Sequence, residues 1–383
     1  MRSIEDFFPR RRAQFIHFDR SKDYCLTMQL LQNKLQSALN GPILVTGHTG
    51  FKGTWLTLLL ERMGIEVVGY SLQPLEDSLY LRANRSGLIG EEFGDIRNIT
   101  QFKSFLKKHK PTALIHLAAQ PLVLESYKNP LDTFETNVIG TANVIAAAFE
   151  ESSVRTIVAA TTDKVYRNDN LGVRFVETDP LSGKDPYSAS KVGSEAVIAA
   201  WQNLSKISGG PKLAAVRAGN VIGGGDFAKD RILPDLIRGF STGEGIEVRN
   251  PESTRPWQHV LDPLHGYLLT LQNLLEGGSI DSLNFGPADE SLSVREVVNT
   301  SMREWPNYNS NLVTFHNSSS EAESRSLELD SSKARTILGW KDCWTQHEAV
   351  ISTNNWWQKV LFSSSNAEES CKSDLEYLFK MAK

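Results

Sequence analysis

The chain has 383 residues, of which 40% are hydrophobic and 22% charged, and its net charge is −4. This balance indicates a soluble globular protein and gives no basis for a general nucleic-acid binder, while the longest apolar runs are shorter than the roughly 18 residues of a transmembrane helix. The three cysteines lie far apart in the sequence, which predicts a reducing, cytoplasmic location and no cysteine-based metal site.

The N-terminal segment differs in composition from the rest of the chain. Residues 1–40 are polar and basic, and they are interpreted as a poorly ordered extension that contains one short amphipathic stretch, LTMQLLQNKLQSAL. The basic residues near the start are not followed by an apolar stretch, so no secretory signal is predicted.

An alternation of strands and helices begins at residue 41. Apolar runs predict buried strands at 42–47, 65–70, 112–119, 155–162 and 212–219. Helical spacing of apolar residues predicts helices at 51–64, 98–110, 129–152 and 185–205. Strands that alternate with helices form a parallel sheet covered on both faces, so residues 41–220 are predicted to be a doubly wound α/β domain of the Rossmann type.

The C-terminal half has a different pattern. From about residue 221 the chain becomes rich in glycine and proline and then irregular. Residues 221–383 are therefore predicted to form a smaller substrate-binding lobe against the carboxyl edge of the sheet, with some segments returning to the first domain.

A glycine-rich turn follows the first predicted strand. In TGHTGFKG, Gly47, Gly50 and Gly53 recur at three-residue spacing between a strand and a helix. The first glycine allows the tight turn, the second lets the backbone approach a pyrophosphate, and the third lets the helix pack closely on the strand. Similar turns occur without a ligand, but at the first strand–helix junction of an alternating α/β chain they predict dinucleotide binding.

The choice between NAD and NADP stays open at this stage. Many NAD-binding domains carry a carboxylate at the end of the second strand, where it holds the adenosine ribose. Here that strand ends with Tyr70 and Ser71, and neither is acidic. Asp95 is a candidate for a second nucleoside contact, with Ile96 beside the adenine, although an aspartate in a turn explains this position equally well.

Tyr187 and Lys191 are spaced i, i+4 in DPYSASK, so both side chains lie on one face of the predicted helix 185–205. Tyrosine has a pKa of about 10 and is a poor base at neutral pH, but a neighbouring ammonium group favours the phenolate. The phenolate can then accept a proton from a sugar or alcohol hydroxyl. Such pairs also occur by chance on solvated helices, but the position downstream of the glycine turn and of TTDK favours a catalytic role.

Together these motifs resemble the extended short-chain dehydrogenases/reductases, in particular the nucleotide-sugar branch and its dehydratases of CDP-glucose. The similarity is carried by VTGHTGFKGTWL (45–56), HLAAQPLVLESY (116–127), TNVIGTANV (136–144), TTDKVY (161–166), DPYSASK (185–191), RAGNVIGGGD (217–226), RPWQHVLDPLHGYL (255–268) and LNFGP (283–287). Only the N-terminal extension lies outside it. The resemblance implies a Rossmann sheet, an NAD cofactor and a nucleotide-sugar substrate.

The resemblance assigns a set of cofactor-binding residues around the carboxyl ends of the first strands. They are Gly47, Thr49, Gly50, Phe51, Lys52, Gly53, Ser71, Asp95, Ile96, Leu117, Ala118, Ala119, Gln120 and Asn137. For Gln120 and Asn137 a scaffold role is the alternative. His116 belongs to a buried strand and is interpreted as a core residue.

The substrate-binding residues also come from the resemblance. Asn220 is placed near the substrate diphosphate, and Arg231 and Arg255 are candidates for gripping it, because a guanidinium fork suits phosphate oxygens. A surface ion pair is the alternative for each arginine. Trp257 and His259 are interpreted as packing residues.

The segment TTDK, residues 161–164, ends the strand before the candidate catalytic tyrosine. Two solvated charges at a strand end are the plain interpretation, but related dehydratases supply a threonine or serine, an acid and a base here. By resemblance, Thr162 hydrogen-bonds the region of the C4 hydroxyl, and Asp163 and Lys164 serve the elimination. Oxidation at C4 acidifies the C5 hydrogen, which one group removes while the other protonates the departing C6 hydroxyl. The assignment of the two stays open, with Asp163 as acid and Lys164 as base favoured.

The expected reaction is the conversion of CDP-glucose to CDP-4-dehydro-6-deoxyglucose and water, with NAD regenerated. One alternative is another nucleotide-sugar dehydratase or a 4-epimerase, which needs no elimination pair. The other is a non-catalytic regulator of the same fold, which could dispense with Tyr187 and Lys191. The resemblance further implies a homodimer formed through helices 129–152 and 185–205, without a nucleic-acid or membrane partner.

Overall fold

The structure is a computed structural model that describes residues 24–170, 172–305, 310–316, 327–363 and 366–380. The first 23 residues of the predicted extension lie outside this range.

A seven-stranded parallel sheet forms the centre of the fold. The described strands are β1 (Ile43–Thr46), β2 (Val67–Ser71), β3 (Gly90–Phe93), β4 (Ala113–His116), β5 (Thr156–Ala160), β6 (Arg174–Phe175), β7 (Lys212–Ala218), β8 (Asn220–Ile222), β9 (Ile246–Arg249), β10 (Thr254–Arg255), β11 (Trp257–His259), β12 (Ser282–Phe285), β13 (Leu292–Ser293), β14 (Val313–His316) and β15 (Glu328–Leu329). The sheet order is β12-β7-β5-β4-β1-β2-β3, so the chain winds outward in both directions from β1. Ile43 is the register partner of both Val67 and Ala113.

Helices cover both faces of the sheet and build most of the second lobe. They are α1 (Tyr24–Ala38), α2 (Phe51–Arg62), α3 (Leu79–Arg82), α4 (Ile99–His109), α5 (Val123–Lys128), α6 (Pro130–Phe134), α7 (Gly140–Glu150), α8 (Pro186–Ser208), α9 (Ile232–Thr242), α10 (Leu261–Leu275), α11 (Val294–Glu304), α12 (Ser332–Leu338), α13 (Gln346–Phe362) and α14 (Ala367–Lys380). None of these helices combines the length and the apolarity that a bilayer-spanning helix requires.

The doubly wound α/β class predicted from the sequence is confirmed. The five predicted strands correspond to β1, β2, β4, β5 and β7, which are almost entirely buried. The long helix predicted at 129–152 consists of α6 and α7 joined by a π-helical turn at Glu135–Ile139. The edge strands β3 and β12 were not predicted, because β3 is polar and half exposed and β12 arises from the C-terminal half.

The helix α1 corrects the prediction that the whole N-terminal segment is a poorly ordered extension. Met28, Leu31 and Leu35 are buried in the same core as β1 and α2. The Gln36 side chain also donates a hydrogen bond to the carbonyl of Met63 at the end of α2 (2.8 Å). Burial of three large apolar side chains offsets the entropy cost of ordering this helix, so residues 24–38 belong to the folded core.

The second lobe shares its core with the sheet. Trp356 and Trp357 on α13 and Trp340 after α12 are buried in the cluster that also contains Val45 and Val216 of the sheet. Short strands such as β8 and β11, which pair in parallel, place the polar segments of this lobe at the carboxyl edge. The ends of β1, β4 and β5 and the segments that follow β7 lie along this edge of the sheet, which we call the cleft.

Candidate active site

The glycine turn has three different geometries at its three glycines. Gly47 has a φ of 74°, and a Cβ atom there would lie 2.8 Å from the backbone nitrogen of Ala118. A Cβ on Gly53 would lie 2.1 Å from the carbonyl oxygen of Gly47. Only Gly50 is exposed, and the one atom near its added Cβ would be the Gly47 oxygen at 3.3 Å. The outer glycines are thus required by close packing, whereas the middle one is exposed and an added Cβ there would have a single close contact.

This turn fits a pyrophosphate group. Helix α2 begins directly after Gly50, and the first N–H groups of an α-helix have no acceptor within the helix. An exposed glycine in front of these donors leaves a backbone cradle that any side chain at position 50 would begin to fill. The arrangement is the one that phosphates occupy at helix N-termini, so it satisfies the requirement for a bound dinucleotide.

Thr49 and Ser71 lie together beneath the turn. Their hydroxyl oxygens are 2.7 Å apart, and Thr49 also donates to the carbonyl of Leu72 (3.1 Å). Both side chains are buried, so they join the glycine turn to the end of β2. Ser71 occupies the place where an acidic residue would hold a ribose, and its hydroxyl is already engaged by Thr49.

Asp95 is held locally. Its carboxylate accepts hydrogen bonds from the backbone N–H and the guanidinium group of Arg97, the shortest of 2.6 Å. These hydrogen bonds lower the pKa of Asp95 despite partial burial. Ile96 is buried against α7, where a Cβ on Gly140 would lie 2.5 Å from its side chain. The observed contacts of Asp95 are therefore those of the turn aspartate that the sequence offered as the alternative.

Gln120 and Asn137 are bound to each other. The Asn137 side chain accepts from the backbone N–H of Gln120 (2.8 Å) and donates to its carbonyl (3.1 Å) and to Ser190 on α8 (2.9 Å). The Gln120 amide donates to Thr133 (2.9 Å). These contacts fit the scaffold alternative: Asn137, in the π-helical turn, fastens the segment after β4 to α8. Leu117, Ala118 and Ala119 lie in that segment, beside Gly47.

His116 is a core residue, as the sequence predicted. Its ring nitrogens lie 2.7 Å from Thr46 Oγ1 and 3.1 Å from Thr141 Oγ1, which joins β4 to β1 and α7. Burial lowers its pKa to about 3, so the ring is neutral at physiological pH.

Tyr187 and Lys191 lie near the start of α8, and both are buried. Asp185 caps this helix by accepting from the backbone N–H of Ser188 (3.0 Å), and Pro186 occupies its first position. Burial raises the pKa of Tyr187 to about 12, and a hydrogen bond with the Thr162 side chain acts in the opposite direction. Lys191 Nζ donates to the carbonyl of Ala160 (3.2 Å), and burial lowers its pKa to about 8.

The segment after β5 brings the predicted elimination pair to the same place. Thr162 Oγ1 donates to Asp163 Oδ1 (3.0 Å), and Lys164 Nζ lies 3.5 Å from the same oxygen. Asp163 is fully buried and its Oδ2 has no hydrogen-bond partner among the described residues, whereas 31% of the Lys164 side chain is exposed. A Cβ on Gly219 would lie 3.1 Å from Asp163 Oδ2, so this glycine leaves room for the carboxylate.

Lys52 extends the cluster toward α2. Its pKa is lowered to about 8, first by burial and then by the positive charges of Arg231, Lys191 and Lys164, while Asp163 raises it. A residue predicted to bind the cofactor thus lies within electrostatic reach of the catalytic groups. The helix that follows the glycine turn and the TTDK segment therefore contribute charged residues to the same cluster.

The predicted substrate residues differ in their contacts, and the charge of only one of them, Arg231, is seen to act on the cluster. Arg231 is ion-paired with Asp226 (2.8 Å), and its charge also acts on Tyr187 and Lys52, which places it beside the cluster. Asn220 begins β8 directly after Gly219. Arg255 lies in β10 and donates to the carbonyl of Thr254 (2.8 Å).

The two aromatic residues interpreted as packing residues are buried. The Trp257 indole N–H donates to the carbonyl of Leu292 (3.0 Å). His259 stacks on Trp344 with ring centroids 4.0 Å apart. The packing interpretation is confirmed for both.

Sequence reasoning missed two charged residues that the structure places next to the cluster. Glu195 continues the helix face of Tyr187 and Lys191 at i+8, and Arg217 is a charged residue inside the run LAAVRA, which is otherwise apolar. Each of these signals was present in the sequence. Among the described residues, no group of three His, Cys, Asp or Glu side chains is arranged to hold a metal ion.

Comparison with known proteins finds a matching family model and relatives that act on or bind nucleotide sugars. The family model described as the NAD dependent epimerase/dehydratase family matches residues 43–286. The chain is 40% identical over 323 residues to a CDP-glucose 4,6-dehydratase of Salmonella typhimurium, covering 82% of this chain and 89% of that protein. It is 27% identical to a UDP-glucose 4-epimerase of Halalkalibacterium halodurans, over 83% and 95% of the two chains. The structure of MoeE5 in complex with UDP-glucose and NAD is similar with a TM-score of 0.72 and 25% identity, covering 84% of this chain and 100% of that one.

Proposed function

This chain belongs to the NAD dependent epimerase/dehydratase family, and we propose that it is an NAD-dependent hydro-lyase that converts CDP-glucose to CDP-4-dehydro-6-deoxyglucose and water. The observation that carries the proposal is the presence of Asp163 and Lys164 beside Tyr187 and Thr162. An oxidation at C4 needs only the tyrosine and its lysine. The added acid–base pair is what an elimination across C5 and C6 requires.

The glycine turn and its surroundings would hold NAD. The N–H groups at the start of α2 would bind the pyrophosphate, and Ala118 lies against Gly47 at the start of the turn. When bound, NAD supplies the acceptor for the C4 hydride and returns that hydride to C6. The similarity to an NAD complex of MoeE5 supports NAD as the cofactor.

Tyr187 would take the proton from the C4 hydroxyl. With a pKa of about 12 in the unliganded protein, Tyr187 is almost entirely the neutral phenol at neutral pH, and the positive charge of Arg231 acts to lower that pKa and favours the phenolate. Lys191 and Lys52 are the lysines in the cluster, and each has a pKa lowered to about 8, so both are largely charged at neutral pH. Thr162 would share the hydrogen bond of the C4 hydroxyl with Tyr187.

Asp163 and Lys164 would carry out the elimination. We assign Lys164 as the base that removes the C5 proton, because its side chain is 31% exposed and can be reached by a substrate. Asp163 is the acid, whose unpartnered Oδ2 would donate a proton to the C6 hydroxyl as it leaves as water. The step requires Asp163 to start with a proton on Oδ2 and Lys164 to start as the neutral amine. Afterwards Lys164 would carry the C5 proton and Asp163 would be the carboxylate, and transfer of a proton between them across the 3.5 Å contact would restore both.

We further propose a cytoplasmic homodimer formed through the helices before and including α8. Leu124, Tyr127, Leu131, Phe134 and Ile139 are exposed at intervals of three to five residues from α5 to the π-helical turn. Such a stripe is typical of a helix that packs against another protein surface. Sedimentation of the wild type and of Leu131→Asp, which places a charge in the stripe, tests the interface.

The test of the function is a panel of CDP-, dTDP-, UDP- and GDP-hexoses incubated with the protein and NAD. Mass spectrometry distinguishes loss of water from epimerisation, which conserves mass. We expect loss of water from CDP-glucose, with Tyr187→Phe as the inactive control. Turnover of only another nucleotide sugar would reject the substrate, and a mass-conserving product would favour a 4-epimerase, the activity of one family relative.

A further inference from the structure

A buried ion pair lies directly behind the catalytic cluster. Glu195 on α8 and Arg217 on β7 are 6% and 4% exposed. Two guanidinium nitrogens, Nε and Nη2, each donate to a different carboxylate oxygen of Glu195 at 2.8 Å. This two-pronged geometry fixes the orientation of both side chains and compensates both buried charges.

The pair is tied to both ends of the catalytic segment. On one side, Glu195 accepts a hydrogen bond from the hydroxyl of Thr161, the residue before Thr162. On the other side, Arg217 Nη1 donates to the hydroxyl oxygen of Tyr166, two residues after Lys164 (2.7 Å). Residues 162–164 therefore lie between two residues, Thr161 and Tyr166, that are both hydrogen-bonded to the same ion pair.

The far side of the network is anchored in the second lobe and the sheet. The Tyr166 hydroxyl donates to Asn284 Oδ1 on β12 (2.7 Å), and Arg217 Nη1 also donates to the carbonyl of Glu177 (3.2 Å). Asn284 is fully buried and donates to the carbonyl of Phe175 (2.9 Å). Hydrogen bonds thus connect the catalytic segment to β12 as well as to α8.

Glu195 also faces Lys191 across one turn of α8. Its negative charge raises the pKa of Lys191, against the larger effect of burial. The other titratable groups that act on Lys191 or are acted on by it are Lys52 from α2 and His116 from β4, which is neutral. Glu195 is therefore the carboxylate that favours the charged form of this lysine.

We infer that Glu195 and Arg217 are positioning residues that hold Thr162, Asp163 and Lys164 against the Tyr187–Lys191 pair for the elimination step. This inference rests on the proposed dehydratase function. The residues for oxidation lie on α8, and the residues for elimination lie in the segment after β5. Because the ion pair contacts both elements, it can fix their relative positions.

The experiment compares Glu195→Gln, the double variant Glu195→Met/Arg217→Met, and Thr161→Val. The double variant removes both charges of the pair, so Arg217 is not left as a buried charge without its carboxylate, and it keeps the test valid if Glu195→Gln fails to fold. Thr161→Val removes only the hydroxyl that contacts Glu195. Glu328→Gln is the matched control, because Glu328 pairs with Arg174 (3.0 Å) between β15 and β6, outside the catalytic segment.

Two readouts are measured for each variant. The first is the titration of Lys191 in protein labelled with ¹³C at the lysine ε carbon, with the signal assigned through Lys191→Met. In Glu195→Gln and in the double variant, we expect the pKa of Lys191 to fall from about 8 by about one pH unit. The second is the rate of water loss from CDP-glucose, which we expect to fall ~10-fold in Thr161→Val, with KM unchanged, and ~100-fold in the double variant.

The outcomes separate the inference from its alternatives. A folded double variant with wild-type rates and a wild-type Lys191 titration would reduce the pair to a structural role and overturn the inference. A wild-type protein that removes water from none of the nucleotide hexoses would refute the proposed function, whereas the Lys191 titration would still test the contact with Glu195. Glu328→Gln is expected to match the wild type in both readouts.

Discussion

The glycine turn and the catalytic cluster face the same cleft but are built on opposite principles. The turn works through missing side chains: at Gly47 and Gly53 an added Cβ would meet backbone atoms at less than 3 Å, and Gly50 opens onto solvent. The cluster works through side chains in unfavourable states, among them the unpartnered carboxylate oxygen of Asp163 and the buried ammonium group of Lys191. We therefore expect the first region to bind through its close-packed backbone and the second to react through charges that are poorly solvated.

This difference predicts different consequences of mutation in the two regions. Changes in the turn should damage folding or cofactor affinity, since the backbone itself forms the binding surface. Changes in the cluster should damage chemistry and, where a buried charge is removed, improve stability. A turn variant that binds NAD normally but loses activity, or a cluster variant that loses NAD affinity, would show that the two regions are coupled.

The largest effect is expected from Tyr187→Phe. The substitution removes the hydroxyl that accepts the C4 proton but keeps the ring, so the rate of C4 oxidation should fall ~10⁴-fold while the fold persists. Absorbance of reduced NAD in a single turnover reports this step. Reduced NAD formed at more than about a tenth of the wild-type rate would assign the proton transfer to another group, and circular dichroism controls for folding.

The paired variants Gly53→Ala and Gly50→Ala test the turn. At position 53 the new methyl group would lie 2.1 Å from a backbone oxygen, so we expect a loss of roughly 3 kcal/mol or more in the free energy of unfolding. At position 50 the nearest atom is 3.3 Å away and the backbone is extended, so stability should change by less than about 1 kcal/mol. Urea unfolding measures both.

The same two variants separate fold from binding. Gly50→Ala should bind NAD weakly while remaining folded, because its methyl group enters the cradle in front of α2. Calorimetric titration with NAD gives the affinity. A Gly50→Ala protein that binds NAD like the wild type would place the pyrophosphate elsewhere and weaken the comparison drawn above.

The third prediction concerns the pH dependence of stability. Burial lowers the pKa of Lys191 from 10.5 to about 8, so between these values the unfolded chain binds more protons than the native protein. Stability should therefore rise with pH in this window, and the cost of burying the charge is fully present below pH 8. Lys191→Met should be more stable than the wild type below pH 8, by at most about 3 kcal/mol, and the difference should shrink toward pH 10.

Urea unfolding of both proteins from pH 7 to pH 10 measures this difference. Lys206→Met is the control, since Lys206 lies on the same helix but is exposed and pairs with Asp281 at 2.9 Å. Parallel stability curves for Lys191→Met and the wild type would mean that the ammonium group is well solvated in the native protein. Burial of the Lys191 charge would then cost no electrostatic free energy, which would contradict the contrast drawn between the cluster and the glycine turn.

The two regions also differ in how far the sequence predicts them. The turn was predictable in detail, because spacing and residue type alone determine what a glycine permits. The strand–helix alternation likewise located β1, β2, β4, β5 and β7. The cluster was predictable in its members, Tyr187 and Lys191, but its electrostatics depend on burial, which no local pattern specifies.

The features that the sequence did not predict have physical causes of the same kind. Helix α1 looked like an extension because its neighbours in sequence are polar, whereas its contacts with the core are made by Met28, Leu31 and Leu35 at long range. Gln120 and Asn137 carry amides suited to a ligand, and only the tertiary structure reveals that they bind each other. At position 71 the sequence shows that the residue is a serine and not an acidic residue. The hydrogen bond between Ser71 and Thr49 can be seen only in the structure.

The smallest of the four effects is expected from Lys164→Ala, and it probes a contrast within the cluster itself. Lys164 is partly exposed and Asp163 is fully buried, so truncation of the lysine should leave the rest of the site in place. Removal of the C5 proton should slow ~10²-fold while C4 oxidation continues. Reduced NAD should then accumulate in a single turnover, although the wild type consumes it as fast as it forms. If oxidation and water loss instead decline together, Lys164 acts on both steps, and the division of labour between the α8 residues and the TTDK segment fails.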